Sequence, residues 1–253
     1  MQKVWNNLSV ETFQEISLLN KSDFKNESAY RFKIISIVYD LDIEEIEELD
    51  YLEILNKLKE ISDIKNLSKK EPKSILKTTA GELCLIDLYK ITIGEFIDLE
   101  FLFIDGYIKN ILPILATLYR VKTSSKSLLY PDSIEPYGNY IQHREPLFKQ
   151  TRISDVYGVV NRYLEFRKMI FDTYDLFEES KTPEPIDENL DAITRSEIAQ
   201  EDAQNERVKL WGWQILLLRL ANNDPTKLEA ATNIPLIQAL NLLLMKKEMK
   251  IPD

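Results

Sequence analysis

The chain has 253 residues, enough to bury roughly 70–75% of its extended surface as one large or two small domains without disulfides or metals. Hydrophobic residues make up 44% and charged residues 29%, a globular composition, and only 6 glycines disfavour turn-rich β folds and glycine-built phosphate loops. Lys and Arg number 32 against 42 Asp and Glu; the formal net charge of −10 disfavours nucleic acid and anionic membrane and suits basic or neutral partners.

The first 70 residues read as short amphipathic helices. Ser9 is the expected cap of a helix over residues 10–19, with Phe13, Ile16 and Leu19 on one face. Residues 29–39 follow, with Phe32, Ile35, Val38 and Tyr39 at helical spacing. Asp42 opens an acidic helix with Ile43, Ile46 and Leu49 inward and Glu44, Glu45, Glu47 and Glu48 outward, and another helix spans residues 52–61. A lysine-rich stretch then breaks the pattern.

Between residues 74 and 91 the runs SILKTT and ELCLIDLYKI flank Ala80-Gly81, which predicts a short β-hairpin with Gly81 at positive φ. Thr92 and Glu95 have capping-box spacing and open a helix through Phe96, Leu99 and Leu102. A helix over residues 107–119 carries Pro113 near its middle, where a kink or break is expected. Residues 121–143 show no periodicity, the pattern of a binding loop or a plain surface excursion.

Ser154-Asp155 is the expected cap of the clearest helix, with Val156, Val159, Val160, Tyr163, Phe166, Ile170, Tyr174 and Phe177 in one stripe. The segment KTPEPIDENLDA then reads as an acidic linker. The expected organisation is a helical main domain over residues 1–180 with its small hairpin, and a C-terminal helical module over residues 181–253. In that module Thr194 and Glu197 open a helix that is polar at first and apolar from Val208 through Trp211, Ile215 and Leu218. Asp224-Pro225 starts a short helix, and a last one runs from Pro235 into a lysine-rich end. The fold class is therefore mostly α, a helical bundle with a minor β-hairpin.

Candidate chemistry is sparse. Cys84 is the only cysteine, which excludes an intrachain disulfide, and in its apolar run it reads as a small core hydrophobe. His143 is the only histidine, so one copy cannot build a two-histidine metal site, and a surface or capping role is expected. The acidic run from Glu44 to Asp50 lacks the ligand spacing and turn glycine of a calcium loop and reads as a solvated face. No Walker, dinucleotide-binding or nucleophile-elbow pattern occurs, so no catalytic, cofactor or metal residues are assigned. No apolar run reaches the ~20 residues of a membrane span, and MQKVWNNLSVETFQ lacks a signal-peptide apolar region, so a cytoplasmic protein is expected.

Contact residues are the remaining candidates. Trp211 and Trp213 flank a glycine, so at most one easily faces the local core, and tryptophan is enriched among interface anchors. Tyr130, Tyr137 and Tyr140 offer further aromatic contacts in the aperiodic loop. The C-terminal TKLEAATNIPLIQALNLLLMKK has the outline of a helix-turn-helix, which leaves a DNA-binding regulator as the alternative of a different class. Its second helix is leucine-rich with lysines only at the end, a poor match to a base-reading helix.

Three stretches taken together, ITIGEFIDLE, ILPILATLYR and the loop leading to YGNYIQHREPLF with its long aromatic helix, resemble an arrangement in tailed-bacteriophage morphogenesis proteins. The closing WGWQILLLRLANNDPTKLEAATNIPLIQALNLL is similar too, and the likeness spans about residues 90–250. Such proteins include tail-assembly-chaperone-like products and small helical virion components, as in crAss-like phages. The resemblance implies non-enzymatic work without cofactors. It implies other phage structural proteins as partners, or further copies of the chain in a ring or homo-oligomer. The place of action would be the host cytoplasm during assembly, or the virion.

Overall fold

The computed structural model describes residues 7–61, 70–123, 134–135, 137–138, 141–174 and 211–249. The chain is mostly helical with one small antiparallel sheet, as composition and periodicity predict. It divides into two compact units, one of Met1–Ile86 and Leu102–Glu165, the other of Asp87–Phe101 and Phe166–Asp253. The acidic linker, Phe177 and the capping box expected at Thr194 lie outside the described residues.

The first unit begins with helix α1 (Val10–Leu18), whose cap Ser9 accepts a hydrogen bond from the Thr12 N–H at 3.0 Å. Val10, Phe13 and Ile16 are buried. In α2 (Glu27–Tyr39) the buried pair is Ile34 and Ile35, while Phe32, Val38 and Tyr39 are only half-buried. The expected stripe is displaced because apolar residues surround this helix, leaving its face for its neighbours to choose. Helix α3 (Ile43–Glu47) starts with the Glu45 carboxylate accepting from the Asp42 N–H at 2.8 Å. Ile46 is fully buried, but Ile43, the first residue of this five-residue helix, is exposed. Helix α4 (Tyr51–Ile61) buries Ile61 and leaves Tyr51, Leu52 and Leu55 in solvent.

Strands β1 (Ile75–Thr78) and β2 (Gly81–Leu85) form the expected hairpin, with Leu76 opposite Leu83 and Thr78 opposite Gly81. Gly81 has φ +117°, a conformation that disfavours any side chain. The sheet gains a third strand that periodicity did not announce, β3 (Tyr119–Val121), antiparallel to β2. Between hairpin and third strand lie α5 (Ile93–Ile104) and α6 (Ile111–Leu118). Pro113 sits in the first turn of α6 and not mid-helix, so no kink results. A first-turn proline lacks only an N–H that would have no intrahelical partner anyway. Gly106, at φ +100°, and Asn110, whose amide donates to the Leu102 carbonyl at 3.0 Å, form the preceding turn.

Helix α7 (Ile141–Lys149) leads into α8 (Ile153–Val156) and α9 (Gly158–Thr173). Ser154 is therefore inside a short helix and buried, not a cap; Arg152 holds the cap position. The start of α9 is closely approached by backbone from residues 70–72. A Cβ on Gly158 would lie 2.1 Å from the Lys70 carbonyl oxygen and 2.9 Å from Pro72 Cδ, so residues 70–72 can pass only where the side chain is missing. The apolar stripe is as expected: Val156, Val159, Val160, Tyr163, Phe166, Ile170 and Tyr174 are all buried.

The second unit is organised around the start of α5. The Thr92–Glu95 capping box forms, with the Glu95 N–H donating to Thr92 Oγ1 at 3.3 Å and the Thr92 N–H to Glu95 Oε2 at 3.2 Å. Residues 211–220 form the described part of α10. Asp224 caps a 3₁₀ turn (Pro225–Lys227) leading to α11 (Leu228–Thr232), and α12 (Leu236–Glu248) closes the unit. The starts of α5 and α12 are tied together: Ile93 N–H bonds the Ile234 carbonyl at 2.9 Å, and Leu236 N–H bonds the Ile91 carbonyl at 2.8 Å. Gly94 allows this approach, since a Cβ there would meet Thr232 Cβ at 2.8 Å.

Two substitutions test these packing assignments. Gly158→Ala should destabilise by about 1–3 kcal/mol through overpacking against backbone; an unchanged denaturant midpoint would refute the close approach of residues 70–72. Val160→Asp places a charge at a site only 1% exposed and should destabilise by on the order of 4 kcal/mol. A melting temperature equal to that of the parent would contradict the placement of α9.

Candidate protein-interaction surfaces

Helix α10 separates the two tryptophans. Residues two apart on a helix point about 200° from each other, so one indole inward forces the other outward. Trp213 is the inward one, 2% exposed, with its ring edge-on to Phe96 at 5.2 Å and to Phe171 at 6.1 Å. Leu216 and Ala221 are buried too. Trp211 is 58% exposed and Ile215, one turn on, 50%. This inverts the expected apolar face: Trp211 and Ile215 are outside, Leu218 is half-buried, and Val208 lies outside the described residues. The run from Ile215 to Leu218 is apolar on every side, so periodicity admits either face, and the rings of Phe96 and Phe171 decide for Trp213. Trp213 therefore offers no surface to a partner. Trp213→Ala should cost about 3–5 kcal/mol of stability, read as a large fall in melting temperature; a small change would contradict the aromatic cluster.

Helix α12 buries Leu236, Ala239, Leu240 and Leu243 and exposes Leu242, Leu244, Met245 and Met249. Asn241 accepts a hydrogen bond from the Tyr174 hydroxyl at 2.9 Å. Lys246 turns back to donate to the Arg219 carbonyl at 3.0 Å and to Asn222 Oδ1 at 2.8 Å. That fastens the left-handed Asn222–Asn223 turn, at φ +53° and +58°, after α10. The first two turns of α12 hold no basic side chain. The helix pair thus adds no observation in favour of base reading.

The aperiodic loop is described only in part. Tyr130 and Tyr140 lie outside the described residues. Tyr137 is half-buried, with its ring 5.5 Å from the buried Arg120 guanidinium, an internal contact in place of the expected free aromatic. The neighbouring backbone is tied to β3, since Glu135 N–H bonds the Val121 carbonyl at 2.8 Å. Arg144 completes the arrangement. It is 2% exposed, donating through Nε to the Ala116 carbonyl at 2.8 Å and through Nη1 to Glu135 at 2.5 Å. Burial pulls its pKa down, and the hydrogen bond and charge of Glu135 oppose that shift. Sequence reasoning singled out His143, which is exposed on α7, and missed the arginine beside it. No spacing or motif marks a buried arginine. Glu135→Ala strands that guanidinium and should destabilise by about 3–5 kcal/mol; chemical denaturation checks it, and a change under about 1 kcal/mol would show the pair to be a surface ion pair.

Cys84 is only half-buried, on the outer face of the sheet rather than in the core, because strand alternation sends Leu83 inward instead. Burial pushes its thiol pKa up, away from nucleophilic activation. Glu44, Glu45, Glu47 and Glu48 are exposed. Among the described residues no group of three or more His, Cys, Asp or Glu side chains is placed to hold a metal ion. No helix among them is long and apolar enough to cross a membrane. Compared with protein-family models, with curated proteins and with solved structures, the chain finds no match.

Proposed function

We propose that the chain is a non-enzymatic assembly or structural protein of a tailed bacteriophage, working through protein–protein contacts made by helical faces. The observation that carries the contact is Trp211 with Ile215, an exposed indole and an exposed aliphatic one turn apart on a helix whose opposite side is anchored by Trp213. A large aromatic surface left in water gains most from being covered by a partner, and such anchors dominate interface energetics. The exposed apolar residues of α12 and α4 extend the same property to other helices. The phage assignment is supported by the resemblance over about residues 90–250. In this reading the partners are other phage structural proteins or further copies of the chain, met in the host cytoplasm during assembly or in the virion.

The test is the mass of the purified protein by light scattering, alone and co-expressed with the neighbouring structural genes, for the parent and for Trp211→Ala. The substitution should leave the melting temperature near that of the parent and weaken partner or self-association by about 2 kcal/mol, some thirtyfold. Fixed copy number in salt-washed particles assigns a virion component. A transient complex with one structural protein, absent from particles, assigns a chaperone. Undiminished association in Trp211→Ala removes the proposed contact, and a monomer that binds only duplex DNA with steep salt dependence overturns the proposal.

A further inference from the structure

The first unit carries a second feature that the helical faces do not account for: an open strand edge beside a groove. The sheet order is β1-β2-β3, so among the described residues β1 has a neighbour on one side only. Leu85 N–H bonds the Ser74 carbonyl at 2.9 Å, which makes Ser74, Leu76 and Thr78 the residues whose backbone groups face β2. By the alternation of an antiparallel ladder, the N–H and C=O groups of Lys73, Ile75 and Lys77 point away from the sheet. The Lys73 N–H is already taken, donating to the Asp155 carbonyl of α8 at 2.8 Å. No strand among the described residues continues that pairing at Ile75 and Lys77.

Those two residues border a groove of about 1120 Å³, whose other wall is formed by Pro146, Leu147, Gln150 and Arg152. Its cations are Lys73, Lys77 and Arg152, and its one carboxylate is Asp155. Asp155 is already engaged by Lys73 at 2.7 Å and Lys70 at 3.8 Å. Lys77 and Arg152 are exposed and make no ion pair with a described residue. The groove is thus locally basic in a chain of formal charge −10.

We propose that the outer edge of β1 captures an extended acidic segment of a partner protein by strand addition. The segment's backbone pairs with Ile75 and Lys77, continuing the ladder from the point where Asp155 leaves it. The segment's carboxylates, on the face it shares with Lys77, meet Lys77 and Arg152, and its apolar side chains lie against Pro146 and Leu147. Main-chain bonds supply affinity in this mode, and the side-chain contacts supply selection. The surface belongs to residues other than Trp211 and Ile215, so it stands or falls separately from the helical contact.

The experiment titrates the full chain with a labelled eight-residue peptide alternating glutamate or aspartate with valine, and with a lysine–valine peptide as control. It reads fluorescence anisotropy at low salt and amide exchange at single-residue resolution. Saturable binding of the acidic peptide alone, with new protection at the Ile75 and Lys77 amides, is the expected result. Arg152→Glu, outside the sheet, and Lys77→Glu should each weaken binding by about five- to tenfold, with melting temperatures near that of the parent. If Lys77→Glu unfolds β1, Arg152→Glu alone decides. Absence of binding would reduce Lys77 to a guard against edge pairing and overturn the proposal. Equal binding of the basic peptide, or binding that leaves both amides unprotected, also overturns it. So does a dimer already protecting those amides without peptide, because a second copy would then be the occupant.

Discussion

Burial of one face of α9 is the constraint from which most of the remaining structure follows. Val159, Val160 and Tyr163 belong to the first compact unit, and Phe166, Ile170 and Tyr174 to the second, and all six are nearly or wholly removed from water. Each such side chain contributes roughly 1.5–3 kcal/mol when buried. In the first unit Tyr163 packs on Phe103 at 4.8 Å. In the second, Phe166 lies edge-on to Phe96, and Phe96 in turn to Trp213. Within the second unit, the aromatic cluster that selects the inward tryptophan also covers Phe166 of the stripe.

Close backbone approach is the second recurring device. Gly158 lets residues 70–72 cross the start of α9, and Gly94 lets the start of α5 meet Thr232 beside α12. Both glycines sit in helices, where glycine is unfavourable by roughly 0.5–1 kcal/mol relative to alanine. Each is compensated by contacts that no larger residue would permit. Arg144 and Glu100 follow a related logic for charge. Each is almost wholly buried, and each meets an opposite charge, Arg144 at Glu135 and Glu100 at Arg167 with a 2.7 Å hydrogen bond. Such pairs hold segments in place more than they add net stability.

Two kinds of surface result. One is helical and apolar, best represented by Trp211 and Ile215, and it carries the proposed assembly role. The other is a basic groove beside an unpaired strand edge, suited to an extended acidic chain. In the proposed reading, the basic groove of an otherwise acidic chain selects its partner by local charge, because screening confines exposed charge interactions to about 10 Å.

Sequence alone determined the helical class, the hairpin at Gly81, the caps at Ser9, Thr92 and Asp224, and the stripe from Val156 to Tyr174. Each is a local property: a turn glycine, a capping side chain within three residues, or a strong single-faced period. What only the tertiary structure decided depends on residues distant in the chain. Strand β3 exists because β2 offers an edge to Tyr119–Val121, where the sequence reads as a helix end followed by an aperiodic loop. The faces of α2 and α10 are chosen by neighbours, because apolar residues surround both helices. Trp211 and Trp213 are equivalent in sequence, and packing against rings such as Phe96 and Phe171 makes Trp213 a core residue while Trp211 stays at the surface. Arg144 and the β1 groove left no trace in the sequence, since a buried ion pair and an open strand edge are defined by what lies across space from them.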